Sequence, residues 1–370
     1  MNKKRFHLPD SFAVTAGLLL LLAMGLFAAF WPQNEFIDHE RRFRTSVPSA
    51  PSLTDWRSDD EIESYLSDRV PFRRALVAVD SSAAYLTGRR TQLETWLVDG
   101  NYLEQPVKGD VSAVDRRLSQ MDAIAQGLNA PWHVIVPPTH GGLLRGEMPS
   151  LMRSLYDAEA LLFDRLESDP HFIPLRAVFE GMPGAYYLTD HHWTLDGAYA
   201  AYSALCEANG LAPLPLEGFE LSEFPGFQGT TYSRSGMPFA AEDTLRCAQP
   251  ANVSLTIPET GEAHSTLIFP EQAATYDGYA VYMNGNHGYA EITNPDAPEG
   301  TLLVFKDSFA NCLLPLLSAH YERIVLVDAR YYAGNFSDAV SAAGTVDEVL
   351  FVYSLDSLIN DTVVARKIAR

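Results

Sequence analysis

Two short motifs, far apart in the chain, hold the parts of one reaction. Asp190-His191-His192-Trp193 supplies a carboxylate and two imidazoles, and Lys306-Asp307-Ser308-Phe309 supplies a hydroxyl. A serine becomes a nucleophile when an imidazole takes its proton. The imidazole holds the right tautomer when a carboxylate accepts from its other nitrogen. Adjacent histidines point to opposite sides of a strand and lie ~100° apart on a helix, so only one of the two faces a given site. Asp190 and His192, at i and i+2, can share one side of an extended turn, where the carboxylate orients the imidazole. The candidate triad is therefore Ser308, His192 and Asp190. His191 reads as a structural or solvent-facing residue, and Trp193 as packing under the loop. A third segment, Asn284-Gly285-Asn286-His287-Gly288, reads first as a tight turn. The Gly285 N–H and the Asn286 amide are also suitable oxyanion donors.

Each of these residues has a plainer use. A serine between a strand and a helix often caps the helix, and local sequence alone favours that reading of Ser308. Asp307 can cap instead, which would free Ser308. Asp-His-His also opens a motif of some metal-dependent phosphoesterases. Such sites need further clustered ligands, and the sequence has no Asp-x-Asp pair and no second Asp/His cluster. Neither a metal nor a cofactor is expected.

The elements that must position these groups alternate. Strands are expected at 133–136, 172–175, 301–305, 323–328 and 348–353. Helices are expected at 111–128, 151–166, 195–208, 309–320 and 336–343, with one more at the C-terminus. Continuous Val/Ile/Leu strands alternating with helices imply a parallel sheet covered on both faces, with functional groups at the carboxyl ends of the strands. Ser308 lies at one such end. The Gly-, Pro- and Thr-rich region 213–298 breaks the alternation and reads as a β-rich insertion. Residues 96–103 read as two short strands about a Gly turn, and 61–79 as an amphipathic helix interrupted at Pro71.

No charged residue occurs between Ser11 and Asn34, and the centre of that stretch is almost wholly apolar. A helix of ~20 residues crosses the ~30 Å hydrocarbon layer. Residues 11–31 are therefore expected to be a transmembrane anchor, with Trp31 at the interface. Lys3, Lys4 and Arg5 keep residues 1–10 cytoplasmic, although Arg41, Arg42 and Arg44 on the far side weaken that orientation. The alternative is a cleaved signal peptide, for which the apolar run is long and lacks a small-x-small site. Residues 32–60 read as a juxtamembrane linker, and 61–370 as the extracytoplasmic catalytic domain of a single-pass membrane protein. The net charge of −20 argues against a nucleic-acid partner. Of the three cysteines, Cys206 and Cys247 could pair outside the cytoplasm, whereas Cys312 reads as a small packing residue.

Taken together, these motifs resemble the DHHW family of bacterial membrane-anchored proteins, which is similar to the SGNH-hydrolase-like O-acetyltransferases of alginate and other exopolysaccharide systems. The resemblance rests on residues 65–73 (YLSDRVPFR), 97–103 (LVDGNYL), 189–194 (TDHHWT), 285–287 (GNH), 306–309 (KDSF) and 327–332 (VDARYY). It implies an α/β fold of the SGNH or flavodoxin-like three-layer type and a triad of Ser308, His192 and Asp190. The Asp-His element precedes the serine, the order of the alginate-type enzymes. It further implies O-acyl transfer, most simply of acetyl, to a cell-surface polysaccharide through an acyl-Ser308 intermediate. The acyl donor would come from a multi-spanning membrane acyltransferase partner. A deacetylating esterase would use the same site with water as acceptor. The rival from another class is a non-catalytic envelope scaffold or glycan-binding protein. No C-terminal carbohydrate-binding module is evident.

Overall fold

The computed structural model describes residues 10–30, 34–37, 40, 42–47 and 56–368. Helix α1 (Asp10–Phe30) covers the apolar stretch. At both of its ends only the backbone is described, and among the described residues no helix is long and apolar enough to cross a membrane. The basic N-terminus, Trp31 and Arg41 lie outside the described residues.

The chain divides into two units, residues 1–92 with 236–238, and residues 93–235 with 239–370. In the first unit the helix expected over 61–79 is two helices, α2 (Trp56–Ser67) and α3 (Arg73–Leu86). The break falls at Pro71 and at Phe72, whose φ of 59° no helix accommodates. Asp68, buried beside the break, accepts from the Arg42 guanidinium at 2.8 Å and from the Thr45 N–H at 2.8 Å.

The second unit opens with a hairpin, β1 (Thr95–Val98) and β2 (Asn101–Glu104), turning on Asp99 and Gly100. Both turn residues have positive φ (46° and 85°), the pattern of a two-residue hairpin loop. Then follow α4 (Val111–Leu128), β3 (Trp132–Ile135), α5 (Ser150–Glu167) and α6 (Leu195–Ala208). The middle of the chain supplies β4 (Glu220–Phe227), β5 (Asp243–Gln249), β6 (Ser254–Ile257), β7 (Glu262–His264) and β8 (Tyr289–Thr293). The last stretch runs β9 (Thr301–Lys306), α7 (Ala310–Leu317), β10 (Arg323–Asp328), α8 (Phe336–Ala343) and β11 (Glu348–Val352), then α9 (Leu355–Asn360) and α10 (Thr362–Ile368).

Seven strands form the main sheet in the order β7-β6-β8-β10-β9-β11-β3. The pairs β10/β9, β9/β11 and β11/β3 are parallel, whereas β8 joins β10, and β6 joins β8, antiparallel. The sheet is thus mixed rather than wholly parallel. The region 213–298 does not stand apart as an insertion: β6, β7 and β8 extend the main sheet, and only β4 and β5 pair separately. Side-chain parity makes two cores. Leu302, Val304, Leu350 and Val352 pack on one face with α6 and α7, while Leu303, Phe305, Val349 and Phe351 pack on the other with α4, α5 and α8. Helices on both faces give three layers, and each fully buried Leu, Val or Phe contributes ~1.5–3 kcal/mol.

Two local expectations fail. Residues 172–175 are not a strand: Phe172 makes a single bridge to Val134, and Pro174 has no N–H to continue the ladder. The helix after Ser308 stops at Leu317, short of His320, with Pro315 inside it. The cysteines are all buried and free.

Candidate active site

β9 carries the chain up the middle of the sheet and ends at Lys306, just before Ser308. Neither Asp307 nor Ser308 caps α7, whose N-cap is Phe309 with no side-chain cap; Asp307 fixes the turn instead. Its carboxylate accepts from the Phe309 N–H at 3.0 Å and from the Ser354 N–H at 2.7 Å. Ser308 is left with its side chain free to face His192. It is only half-buried, and among the described residues its backbone N–H has no partner.

The partner motif lies between Tyr186 and α6. Thr194 caps α6, its hydroxyl accepting from the Gly197 N–H, which fixes the end of the motif. Trp193 is fully buried, and its indole N–H donates to the Phe309 carbonyl at 3.0 Å. That bond ties the histidine loop to the serine turn. The tie brings the three residues together. His192 Nε2 lies 2.9 Å from Ser308 Oγ, and His192 Nδ1 lies 2.6 Å from Asp190 Oδ1. Asp190 Oδ1 also accepts from the His192 backbone N–H at 2.9 Å, and Oδ2 from the Thr230 N–H at 2.6 Å.

Burial sets the electrostatics. Burial alone would raise the Asp190 carboxyl, but His191, His192 and the bonds from His192 and Thr230 outweigh it and hold the group well below its usual range. The His192 ring stacks on Tyr279 at 3.8 Å and leans on Phe309 at 4.9 Å. Desolvation there, helped by His191, pushes its pKa down to about 4 against the opposing pull of Asp190. At neutral pH the imidazole is uncharged. With Nδ1–H donated to a carboxylate, the Nε2 lone pair is available to accept the serine proton.

His191 lies beside the triad rather than in it. Its ring is 4.0 Å from that of His192, and its Nδ1 is 3.5 Å from Asp190 Oδ1 and 3.9 Å from Glu104 Oε1. Ligand atoms of Asp190, His191 and His192 all lie within 4.8 Å of one another. A metal would nevertheless have to displace existing bonds, because both His192 nitrogens and both Asp190 oxygens are engaged. A small cavity of about 30 Å³ lies on the side of His191 and Phe309, lined also by Tyr102, Glu104, His140 and Ser354.

Of the two oxyanion candidates, Gly285 is corrected. Its φ of 101° suits the turn, and its N–H donates to the Tyr282 carbonyl at 3.1 Å, so it closes the turn and cannot serve an oxyanion. Asn286 is bonded to Asn311, on the first turn after Ser308. Sequence reasoning missed Thr230, Tyr279 and Gly229. A Cβ on Gly229 would stand 2.2 Å from Asp190 Cβ, so only glycine admits the carboxylate. The Gly229-Thr230-Thr231 run is the sole local sign of that close approach.

An α/β sheet presenting a Ser-His-Asp constellation at the carboxyl end of a central parallel strand defines the class. Within it, residues 182–327 match the family model described as DHHW protein, and the resemblance drawn from the sequence holds over that segment. No curated protein matches the chain. The fold is similar to that of a DHHW family protein from Eubacterium siraeum (TM-score 0.60, 20% identity, covering 75% of this chain and 96% of that one). It is also similar to that of Bacillus cereus PatB1, solved with a sulfonyl adduct (TM-score 0.59, 20% identity, covering 73% of this chain and 97% of that one). At that identity the likeness concerns the fold.

Proposed function

We propose that the protein is a serine-dependent O-acyltransferase, most simply an O-acetyltransferase, acting on a cell-surface polysaccharide outside the cytoplasm. The observation that carries this reading is the hydrogen-bonded series Asp190–His192–Ser308. Ser308 Oγ attacks the acyl carbonyl while its proton passes to His192 Nε2. Asp190 holds the tautomer and stabilises the imidazolium. The tetrahedral oxyanion is held by the Ser308 N–H and the Asn286 amide. On collapse the leaving group takes the proton from His192, leaving acyl-Ser308. A sugar hydroxyl then approaches acyl-Ser308 on its half-open side, gives its proton to His192 and takes the acyl group, and Ser308 Oγ recovers that proton from His192 as it leaves. Water in the same place would make the protein an esterase.

Residues 11–31 would anchor the chain with the domain outside. There the acyl donor must be delivered across the membrane, and a multi-spanning acyltransferase partner would do so. Tethering beside that partner raises the effective concentration of Ser308. The test has two arms. An aryl sulfonyl fluoride should label the wild-type chain at Ser308, as read by peptide mass spectrometry, and leave Ser308→Ala and His192→Ala unlabelled. Cells carrying Ser308→Ala should lose O-acetyl from the surface glycan. Unchanged acetylation sinks the transferase reading, and increased acetylation points to the esterase.

A further inference from the structure

Lys306, the last residue of β9, is 1% exposed and plays no part in the proton path described above. Its ammonium donates to Asn311 Oδ1 at 2.7 Å and to the Asp307 carbonyl at 3.4 Å, with Asp328 Oδ2 at 3.9 Å. An ammonium has three donors and no acceptor. The Asn311 atom it meets is therefore the carbonyl oxygen, and the other end of that amide must be NH₂. That NH₂ meets Asn286 at 3.0 Å and can only donate, so the Asn286 atom it meets is also an oxygen. The free end of Asn286 is then its own NH₂, which has no partner among the described residues. Asn311 is itself 1% exposed, and its backbone N–H donates to the Ser308 carbonyl at 3.1 Å. The series thus runs along the turn that carries Ser308.

We propose that Lys306, acting through Asn311, sets the polarity of the Asn286 carboxamide, so that it offers N–H and not C=O to the oxyanion formed at Ser308. Lys306 and Asn311 are positioning residues, and the inference rests on the acyl-transfer reading of the site. A buried cation is a reliable source of such an instruction, because no rotation turns an ammonium into an acceptor. A neutral donor-acceptor in its place would leave both amides free to flip.

The discriminating variant is Asn311→Asp, nearly isosteric with the wild type. Its carboxylate still accepts from Lys306 but has no donor for Asn286. Asn286 then turns its NH₂ toward residue 311 and its oxygen toward the site. Losing one oxyanion donor costs ~10²–10³ in turnover. N311D should lose that much kcat on a small activated acetyl ester with KM nearly unchanged, matching Asn286→Ala. The double variant should lose no more than either alone. N311A removes the instruction without reversing it and should lose only about tenfold. A packing role would give the opposite rank, with the truncation worse than the isostere. That rank, or a loss below threefold in N311D, overturns the proposal. Side-chain amide hydrogen exchange tests the polarity without catalysis. The Asn286 NH₂ should exchange fast in the wild type and become protected in N311D, and protection already present in the wild type would refute the assignment. Should the wild type fail to turn over the ester, or Ser308→Ala match it, the acyl-transfer reading has failed, and the exchange experiment still decides the polarity.

Discussion

Replacing Asp190 by asparagine tests the site most directly, because the side chain keeps its shape and loses only its capacity to accept. Three N–H groups point at this carboxylate: the His192 backbone and Nδ1 at one oxygen, and the Thr230 backbone at the other. A carboxamide has one acceptor oxygen, so one side of the arrangement must fail. With the oxygen toward His192, the NH₂ faces the Thr230 N–H, and a buried donor goes unpaired at a cost of ~1–3 kcal/mol. With the NH₂ toward His192, Nδ1 must accept, the ring proton moves to Nε2, and Nε2 can no longer take the proton of Ser308. The imidazolium also loses its counter-charge in either case. A wrong tautomer costs ~10⁴ in turnover, or ~5.5 kcal/mol of transition-state stabilisation. We expect D190N to lower kcat for an activated acetyl ester by about that factor, with KM changed only a few-fold and the fold retained by circular dichroism. An activity within tenfold of wild type would mean that the carboxylate does not orient the imidazole, and the triad would be refuted.

Burial places the acid limb of kcat/KM for the free protein near the depressed His192 value of about 4, well below the ordinary 6.5; a limb at 6.5 or above would contradict the dry environment against Tyr279. The same shift links to stability. The unfolded chain takes up a proton below pH 6.5 that buried His192 refuses until about 4, so stability should fall as pH drops through that window, by up to ~1.4 kcal/mol per unit, and His192→Gln should flatten the slope in denaturant titrations. His191→Ala should keep most activity and added chelator should change nothing, whereas equal losses at both histidines together with chelator sensitivity would restore the metal reading. Gly229→Ala should drive the Asp190 carboxylate off its donors, costing ~1–3 kcal/mol in thermal unfolding and most of the turnover, and a neutral result would show that the 2.2 Å approach relaxes freely.

The legible parts of the molecule were those written in local pattern. Continuous apolar strands around 301–306 and 323–328 announced the sheet, and the strand-to-helix position of Ser308 followed from them. The i, i+2 spacing of Asp190 and His192 limited which imidazole could serve, and the structure brings that one to Ser308. What sequence could not show are contacts made across distance by residues with no periodic signature. Tyr279 and Thr230 lie in the Gly- and Thr-rich region, where neither helical nor strand spacing marks them, and their roles appear only once that region folds back on residues 190–192. Likewise β8 reads locally as any short strand, and only its antiparallel register with β10 shows that it widens the main sheet. Gly285 misled for the opposite reason. A glycine N–H is a good oxyanion donor in general, but a tight turn spends its own N–H on closing itself.

Proton direction at this site follows from one buried group whose chemistry allows a single answer. Asp190 is wholly enclosed and surrounded by N–H donors, so it must remain a bare carboxylate that only accepts. Nδ1 of His192 must then carry the hydrogen, Nε2 must be the lone pair, and the Ser308 hydroxyl must donate to it. No step in that sequence depends on the exact pKa of the histidine, only on its being uncharged, which the stack on Tyr279 and the burial of the ring ensure. A burial gradient completes the arrangement. The orienting carboxylate is sealed in, the imidazole is nearly so, and only the nucleophile is half-open to the surface. Ser308 is therefore open to a ligand while water is kept from the Asp190–His192 bond, whose strength depends on the low dielectric around it.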